Sequence, residues 1–402
     1  MKLRTLILLP SFVLAIVSCD RIGSQVEAPA TYSFERDGMS SVSFTGQTER
    51  LAMGGELNDA LLDRSVTLTQ LQEMFANEDA SGNDVDPFMD ATLNASSKSV
   101  RSKVAASYDL FSANVSGSAK IKADFDQWLS LQTTEVLPFM DSLAAPGKAG
   151  QVADGTTPRY VDELGLEYNQ LFIKGLIGAL ITDQMLNNYL SPAVLDAGSN
   201  REDQLSGATV DGKAYTAMEH KWDEAYGYLF GGAADAASPI LTLGQDDVFM
   251  NKYLGRVIGD ADFSTYFDDI FDAFKLGRAA IVEGDFELRD EQAEIIKKRI
   301  SEIIAIRAVY YLKTAGVELA ASNFGSVLHD LAEGYGFIYS LQFTQNPATG
   351  EPYFSASEVD VILQDLMDDG ANGLWDVQIS TLDDLAVNIA SRFDFTVEQT
   401  IN

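Results

Sequence analysis

The stretch DEQAEIIKKRISEIIAIRAVYYLK, residues 290–313, decides the fold class. Its apolar side chains recur at helical spacing, and its charged side chains fall mainly on the opposite side of that helix. The apolar positions are Ile296, Ile300, Ile303, Ala308 and Leu312, and the charged positions are Lys297, Lys298, Glu302 and Arg307. No proline lies between Pro239 and Pro347, so no proline interrupts a long helix here. The stretch therefore predicts a long amphipathic helix.

Similar periodicity elsewhere predicts an all-α protein. The further helical patterns cover residues 57–77, 99–111, 117–132, 159–190, 214–230, 262–283, 324–343, 355–368 and 381–394. Alternation typical of strands is confined to YSF at 32–34 and VSF at 42–44. Residues 145–158 and 191–213 are predicted connections, because they are rich in Gly, Pro, Asn and Asp. GLIGALIT at 175–182 predicts a buried helix, since a membrane span needs roughly 20 residues.

The charge balance excludes one class of partner. The 402 residues include 28 basic and 60 acidic ones, for a formal net charge of −32. A field of that sign repels phosphate backbones, so nucleic acid is excluded as a partner. Hydrophobic residues make up 46% of the chain, which is enough for a large core. The length fits one large domain or two fused ones.

The N-terminus has the layout of a lipoprotein signal. MKLR gives a basic start, and LILLPSFVLAIV at 6–17 is an apolar run of signal-peptide length that leads to Cys19. This pattern predicts a bacterial lipobox, in which a signal peptide of residues 1–18 is removed and Cys19 receives lipid. Residues 19–30 then form a tether to the membrane of the cell envelope, facing the periplasm or the cell surface. An ordinary cleaved signal with a chance cysteine is the alternative.

Two stretches of the chain match each other in chemical order. They are HKWDEAYGYLFG at 220–231 and HDLAEGYGFIYS at 329–340, and each begins with one of the only two histidines. Such self-similarity predicts two related helical halves. We expect the first half over residues 31–240 and the second over residues 241–402.

On a helix, each of these histidines shares a face with a glutamate one turn later, and a glycine continues the stripe. The sets are His220, Glu224 and Gly227 in the first motif and His329, Glu333 and Gly336 in the second. Imidazole and carboxylate donors from two halves suit iron, manganese or zinc, while the glycines permit a close approach of a facing backbone. The alternative is a buried polar network that includes Tyr226 and Tyr335, with Trp222 in the core.

Other catalytic patterns are absent or weaker. HExxH, GxSxG and a phosphate loop ending in GK[ST] do not occur. The acidic loop NEDASGNDVD at 77–86 offers Asp79, Asp84 and Asp86 to calcium, but their order is not that of an EF-hand. A solvated turn is the favoured interpretation of this loop.

The YSF segment, FTGQTERLAMGGEL at 44–57 and the HKWDEAYGYLFG motif together resemble uncharacterised lipoproteins of Bacteroidetes-type bacteria that are distantly similar to imelysin. The resemblance covers about residues 30–400, and FTGQTERL and HxWDEAYGY are its most specific parts. It implies an all-helical, periplasm-facing body of two bundle-like halves. It also implies an association with iron or haem uptake.

Imelysins carry a GxHxxE motif and a metallopeptidase label. The resemblance adds Asp223 to the candidate metal ligands, because Asp223 stands at the glutamate position after His220. Met218 stands at the glycine position, and Ala332 stands where the second motif would need the acid. His220 and Asp223 are therefore the only residues of this chain that correspond to the imelysin motif.

These observations lead to one main hypothesis and two alternatives. The main hypothesis is a lipid-anchored binding protein of the cell envelope, with a candidate site for iron or zinc at His220, Asp223, Glu224, His329 and Glu333. The first alternative is a metal-dependent hydrolase or peptidase that uses the same residues with a glutamate as base. The second is a structural lipoprotein without metal that contacts other envelope proteins.

Overall fold

A computed structural model describes residues 26–401 of the chain. The predicted signal peptide, Cys19 and the beginning of the tether lie outside the described residues. Within the described part, 60% of the protein is helical and 5% is strand, which confirms the predicted all-α class. No helix among residues 26–401 has the length and apolarity needed to cross a bilayer.

The helices and strands follow one another along the chain with short 3₁₀ and π-helical turns between some of them. The α-helices are α1 (Thr45–Ala60), α2 (Leu68–Ala76), α3 (Ala91–Asn94), α4 (Tyr108–Phe111), α5 (Val115–Leu131), α6 (Tyr168–Leu176), α7 (Pro192–Leu195), α8 (Asn200–Ser206), α9 (Ala217–Phe230), α10 (Met250–Val257), α11 (Tyr266–Glu283), α12 (Phe286–Ala320), α13 (Phe324–Ser340), α14 (Ala356–Met367) and α15 (Ile379–Ala390). The strands are β1 (Glu35–Arg36), β2 (Met39–Ser40), β3 (Gly150–Asp154) and β4 (Thr157–Val161), paired as two antiparallel hairpins.

Helix α12 contains the predicted long helix and packs against α11, α13 and α15. Ile300 and Leu312 of its apolar side are fully buried. Most of its charged side is enclosed as well, since Lys297, Glu302 and Arg307 are 3%, 1% and 6% exposed, while Lys298 is partly exposed. Neighbouring helices cover α12 on several sides, so its polar side chains contact other parts of the protein or line a cavity.

Two predicted helices are wrong because local bonding interrupts them. The helix predicted at 57–77 divides into α1 and α2, since the Asp63 carboxylate accepts hydrogen bonds from the Ser65 amide and hydroxyl and closes a turn. In the helix predicted at 99–111, Ala105 adopts φ of 46° and its amide donates to the Ala179 carbonyl at 2.8 Å. That segment bonds to a neighbouring helix and forms only short helical turns itself.

A hairpin occupies part of the connection predicted at 145–158 and replaces the first part of the helix predicted at 159–190. Strand β3 pairs with β4 through a tight turn in which Gly155 has φ of 56°, and α6 begins only at Tyr168. Two other predictions are also corrected. The connection predicted at 191–213 contains α7 and α8, and the N-terminal strands β1 and β2 lie between the YSF and VSF segments.

The GLIGALIT stretch is buried as predicted and continues α6 with π-helical geometry. The π-helical turns are Ile177–Thr182 and Met185–Tyr189. In the first of them, the Thr182 hydroxyl donates to the Ile177 carbonyl at 2.8 Å. Helix α6 packs against α13, and this contact positions the second histidine motif.

Candidate functional site

Helix α9 carries the first histidine motif and begins with a capping box between Thr216 and Glu219. His220 Nδ1 lies 2.9 Å from the Ser43 carbonyl oxygen. Since a carbonyl only accepts hydrogen bonds, Nδ1 is the protonated nitrogen of this contact. The imidazole stacks on Tyr215 with ring centres 4.5 Å apart, and burial lowers the pKa of His220. The first histidine is therefore held mainly as a neutral, oriented ring.

Asp223 is fully buried and bonded through both carboxylate oxygens. Oδ1 accepts from the Tyr32 hydroxyl at 2.7 Å and from Arg278 Nε at 3.1 Å, and Oδ2 accepts from the Ser43 amide at 3.1 Å. Burial raises the pKa of Asp223 to about 6, although the Arg278 charge opposes that rise. Protein donors thus occupy the acid that the imelysin-type motif offers to a metal.

The same network fastens residues 32–44, which we call the N-terminal strap, across α9 and α11. Arg278 Nη1 lies 3.1 Å from Glu219 Oε1, and neither side chain is exposed. Arg36 binds Glu219 through two hydrogen bonds of 2.7 and 2.8 Å. With Asp223, the network contains two guanidinium groups and two carboxylates, so its charges balance inside the protein.

Glu224 pairs with a lysine of its own helix. Its carboxylate lies 2.7 Å from Lys221 Nζ and accepts a hydrogen bond from Gln47 Nε2 at 3.1 Å. Burial raises the pKa of Glu224, but the Lys221 charge and the hydrogen bonds from Lys221 and Gln47 oppose that effect, and the pKa lies below its ordinary value. Glu224 is therefore a charged counter-ion at neutral pH.

Glu333 in α13 occupies the matching position in the second motif and is also surrounded by cations. Its oxygens lie 3.2 Å from Lys174 Nζ, 3.4 Å from the Tyr253 hydroxyl and 3.9 Å from Arg256 Nη1. Burial raises the pKa of Glu333, while the Lys174, Arg256 and Arg307 charges lower it below its ordinary value overall. Three cations around one carboxylate leave a local surplus of positive charge.

His329 lies between two carboxylates. Its Nδ1 is 3.2 Å from Glu167 Oε1, and its Nε2 is 3.8 Å from Glu333 Oε1. The hydrogen bond to Glu167 joins α13 to the residue that precedes α6. His329 thus contacts carboxylates, as in the polar network that the sequence left open as an alternative, but within residues 26–401 Tyr226 and Tyr335 do not bond to this group.

The two histidines have separate partners, because His220 contacts the N-terminal strap and His329 contacts Glu167 and Glu333. Across residues 26–401, no three His, Cys, Asp or Glu side chains converge as a metal ion requires. The iron or zinc site therefore stays a prediction without an assembled ligand set. In the acidic loop, Asp79 accepts hydrogen bonds from two backbone amides and closes a turn.

The aromatic residues of the motifs belong mainly to the core. Trp222 Nε1 donates to the Phe274 carbonyl at 2.9 Å. Tyr226 stacks on Tyr32 of the strap with ring centres 3.6 Å apart. Tyr335 is partly buried, and burial raises its pKa to about 12.

Both motif glycines lie at close contacts between segments. A Cβ on Gly227 would lie 2.3 Å from Phe44 Cβ, and one on Gly336 would lie 2.3 Å from Lys174 Cβ. The absence of a side chain at Gly336 lets α13 approach α6 and brings Lys174 beside Glu333.

A cavity of about 530 Å³ adjoins the cations around Glu333. Arg256 and Arg307 line it together with the apolar side chains of Phe263 and Ile306 and with the polar residues Asp260 and Thr400. The two arginines thus contribute both to the field around Glu333 and to the cavity wall. The cavity combines positive charge with an apolar surface, as small-molecule sites often do.

Arg307 is the least compensated charge at this cavity. Within residues 26–401, its guanidinium makes no hydrogen bond or ion pair, and its Nε is buried without a partner. Its flat faces lie on aromatic rings, with the Tyr310 centre at 4.0 Å and the Tyr311 centre at 4.5 Å. Burial lowers the pKa of Arg307 to about 10, so the group remains charged at neutral pH. A carboxylate or phosphate in the cavity would accept its hydrogen bonds.

The sequence interpretation missed the residues that give this site its charge. They are Lys174, Arg256 and Arg307, with the aromatic residues Tyr253, Tyr310 and Tyr311. A local signal was present in RAVYY at 307–311, because tyrosines three and four residues after an arginine lie over it on a helix.

A family model described as Domain of unknown function (DUF4856) matches residues 29–396. The match spans most of the chain and includes the strap, both histidine motifs and the cavity arginines. No curated protein and no solved structure matches the chain.

Proposed function

We propose that this chain, which belongs to the DUF4856 family, is a lipid-anchored binding protein of the bacterial cell envelope that holds an organic anion in the cavity beside Arg307. The observation that carries the proposal is the Arg307 guanidinium, which lines a cavity, bonds to no acceptor among residues 26–401 and has a buried Nε without a partner. Leaving such a group unsatisfied costs free energy, and an anionic ligand removes that cost.

The cavity wall supports an organic ligand over a bare inorganic ion. Arg307 and Arg256 present two guanidinium groups, which suit the paired oxygens of a carboxylate or phosphate. Phe263 and Ile306 provide apolar surface for the rest of the molecule. The net charge of −32 opposes adsorption of anions elsewhere on the protein, so a local positive site gives selectivity.

The bonding of the motif glutamates supports binding over hydrolysis. A general base needs a free carboxylate within reach of the water or substrate proton. Glu333 is held by Lys174 and Tyr253, and Glu224 is held by Lys221 and Gln47. Both therefore act as counter-ions in this proposal.

Calorimetric titration of the mature chain in detergent tests the ligand class. The probes are phenyl phosphate, benzoate and haem, whose propionates are carboxylates and which the imelysin resemblance makes relevant. Arg307→Gln should weaken binding of the successful probe about tenfold or more, because a charge-assisted hydrogen bond is lost. Arg307→Lys should retain part of the affinity. Arg64→Gln, at an exposed surface pair, is the matched control.

The ligand proposal is contradicted if the wild type binds none of the three probes, or if Arg307→Gln and Arg64→Gln bind equally well. The anchor is tested separately with Cys19→Ala and a fatty acid that carries an alkyne label. The wild type should incorporate the label and sediment with membranes, whereas the variant should do neither. An unlabelled wild type would refute the anchor and leave the cavity proposal standing.

A further inference from the structure

The FTGQTER stretch at 44–50 lies beside a second group of cations, which we call the first-half cluster. The cluster consists of Arg50, Lys98, Lys103 and Lys221, with Glu224 as their carboxylate neighbour. Lys103 Nζ and Lys221 Nζ lie 5.7 and 5.3 Å from the centre of the same Tyr189 ring. The ring is therefore in contact with two like charges.

Arg50 and Lys98 approach each other over a glycine. A Cβ on Gly46 would lie 3.1 Å from Lys98 Cε and 3.4 Å from Arg50 Nη1. Arg50 is 6% exposed and uses its Nε and Nη1 to bond the Ser99 and Gly46 carbonyls, so its charge has no carboxylate partner in those bonds. Both side chains thus lie against the same glycine, and their like charges repel each other unless an anion lies near both.

Lys103 adds a third uncompensated charge. Its ammonium forms no hydrogen bond or ion pair within the part of the chain that the structure describes, and its side chain is half-buried. Burial and the nearby Arg50 charge lower the pKa of Lys103, Lys221 and Lys98 lower it further, and the Glu224 charge opposes them only in part. Glu224 already pairs with Lys221, so it cannot balance the other three cations.

We propose that the first-half cluster is a second anion-binding site, which takes a phosphate or phosphate ester between Arg50, Lys98 and Lys103. The site repeats the layout at Glu333, where one motif glutamate and one tyrosine lie among surplus cations. Several cations that approach from different segments suit the tetrahedral oxygens of phosphate better than a planar carboxylate. This proposal does not depend on the cavity proposal, because the two sites share no residue.

Titration with inorganic phosphate at constant ionic strength tests this site. The measurement uses the full mature chain carrying Arg307→Gln, so that the cavity contributes little. Adding Lys98→Gln and Lys103→Gln should weaken phosphate binding about tenfold or more. Adding Lys120→Gln and Lys148→Gln, which remove the same charge from exposed positions, should leave the affinity unchanged.

Thermal unfolding with and without phosphate is a second measurement, and it distinguishes loss of phosphate binding from loss of folding. Without phosphate, Lys98→Gln/Lys103→Gln should be at least as stable as its parent, because repulsion is relieved. Phosphate should then raise the melting temperature of the parent and not that of this variant. The proposal is overturned if the Arg307→Gln protein binds no phosphate, or if both double substitutions bind it equally. If the single variant Arg307→Gln loses phenyl phosphate binding, that result supports the cavity proposal and does not test the first-half cluster.

Discussion

Lys174 Nζ lies 3.2 Å from Glu333 Oε1, and the two side chains are only 5% and 6% exposed. The pair joins α6 to α13 at the place where Gly336 lets these helices approach closely. Because both charges have lost most of their water, each depends on the other for compensation. The stability of the central helices is therefore coupled to the charges beside the cavity.

Removing the Glu333 charge should destabilise the protein strongly. Glu333→Leu leaves Lys174, Arg256 and Arg307 without their shared counter-ion, so we expect a loss of about 3–5 kcal/mol in the free energy of unfolding. Urea unfolding measures this loss. Adding Lys174→Met should restore part of it, because one uncompensated cation is removed.

The surface pair between Arg64 and Asp141 supplies the control for that comparison. Asp141→Leu should cost about 1 kcal/mol or less in ion-pair energy, since Asp141 is 87% exposed. Equal losses for Glu333→Leu and Asp141→Leu would show that the buried pair has no special weight.

Gly336→Ala should force α13 away from α6. The added Cβ would lie 2.3 Å from Lys174 Cβ, so the helices must separate at a cost of about 1–3 kcal/mol. Gly55→Ala, in α1, meets no atom within 4 Å and should stabilise by about 0.5–1 kcal/mol through helix propensity. Thermal unfolding of the two variants should therefore shift in opposite directions, and a shift in the same direction would refute the packing argument.

Asp183 should make the protein less stable as pH rises towards neutrality. Burial raises the pKa of this carboxyl from 3.8 to about 7, and its Oδ1 has no hydrogen-bond partner. A raised folded-state pKa means that the folded protein binds the proton more tightly than the unfolded chain does. The resulting stabilisation is complete below about pH 4 and is lost as pH rises to about 7.

In Asp183→Asn, this pH-dependent loss in the free energy of unfolding should be smaller by up to about 4 kcal/mol. An asparagine oxygen can still accept the Ala106 and Ser107 amides, which donate to Asp183 Oδ2 at 3.0 Å. Urea unfolding between pH 4.5 and 7.5 measures the change. Asp211→Asn, at an exposed site, should keep the wild-type slope. Asp247 and Asp223 should also lower the stability of the protein as pH rises, because burial raises their pKa values to about 7 and about 6.

Tyr32→Phe should loosen the N-terminal strap. The variant loses the 2.7 Å hydrogen bond to Asp223 but keeps a ring to stack on Tyr226. We expect a loss of about 1.5–3 kcal/mol, as for a hydrogen bond to a charged group, and faster amide exchange in residues 32–44. Tyr108→Phe, at a side chain that is 53% exposed, is the control. Unchanged exchange in the strap would contradict its fastening through Asp223.

The sequence predicted helices well where burial follows apolar spacing. The pattern at 290–313 predicted α12 because spacing reports which side of a helix meets the core. Spacing does not report how many neighbours surround a helix, so the enclosure of Arg307 was not predicted. The hairpin of β3 and β4 was missed although Asp154-Gly155 is a strong turn signal.

The repeat placed Glu224 and Glu333 at matching positions as candidate metal ligands, and in the structure both are counter-ions to lysine. Their partners could not be predicted in the same way. Lys174 and Arg256 come from segments far from Glu333 in the chain, and only the packing of α6 and α10 against the core brings them to it. A metal prediction from local spacing overlooked these charges.

The strap also determines how a pull on the N-terminal end is transmitted. Tyr32 and Arg36 of the strap both bond to buried acids of α9. A pull that reaches the strap would therefore act on several hydrogen bonds between the strap and α9 together.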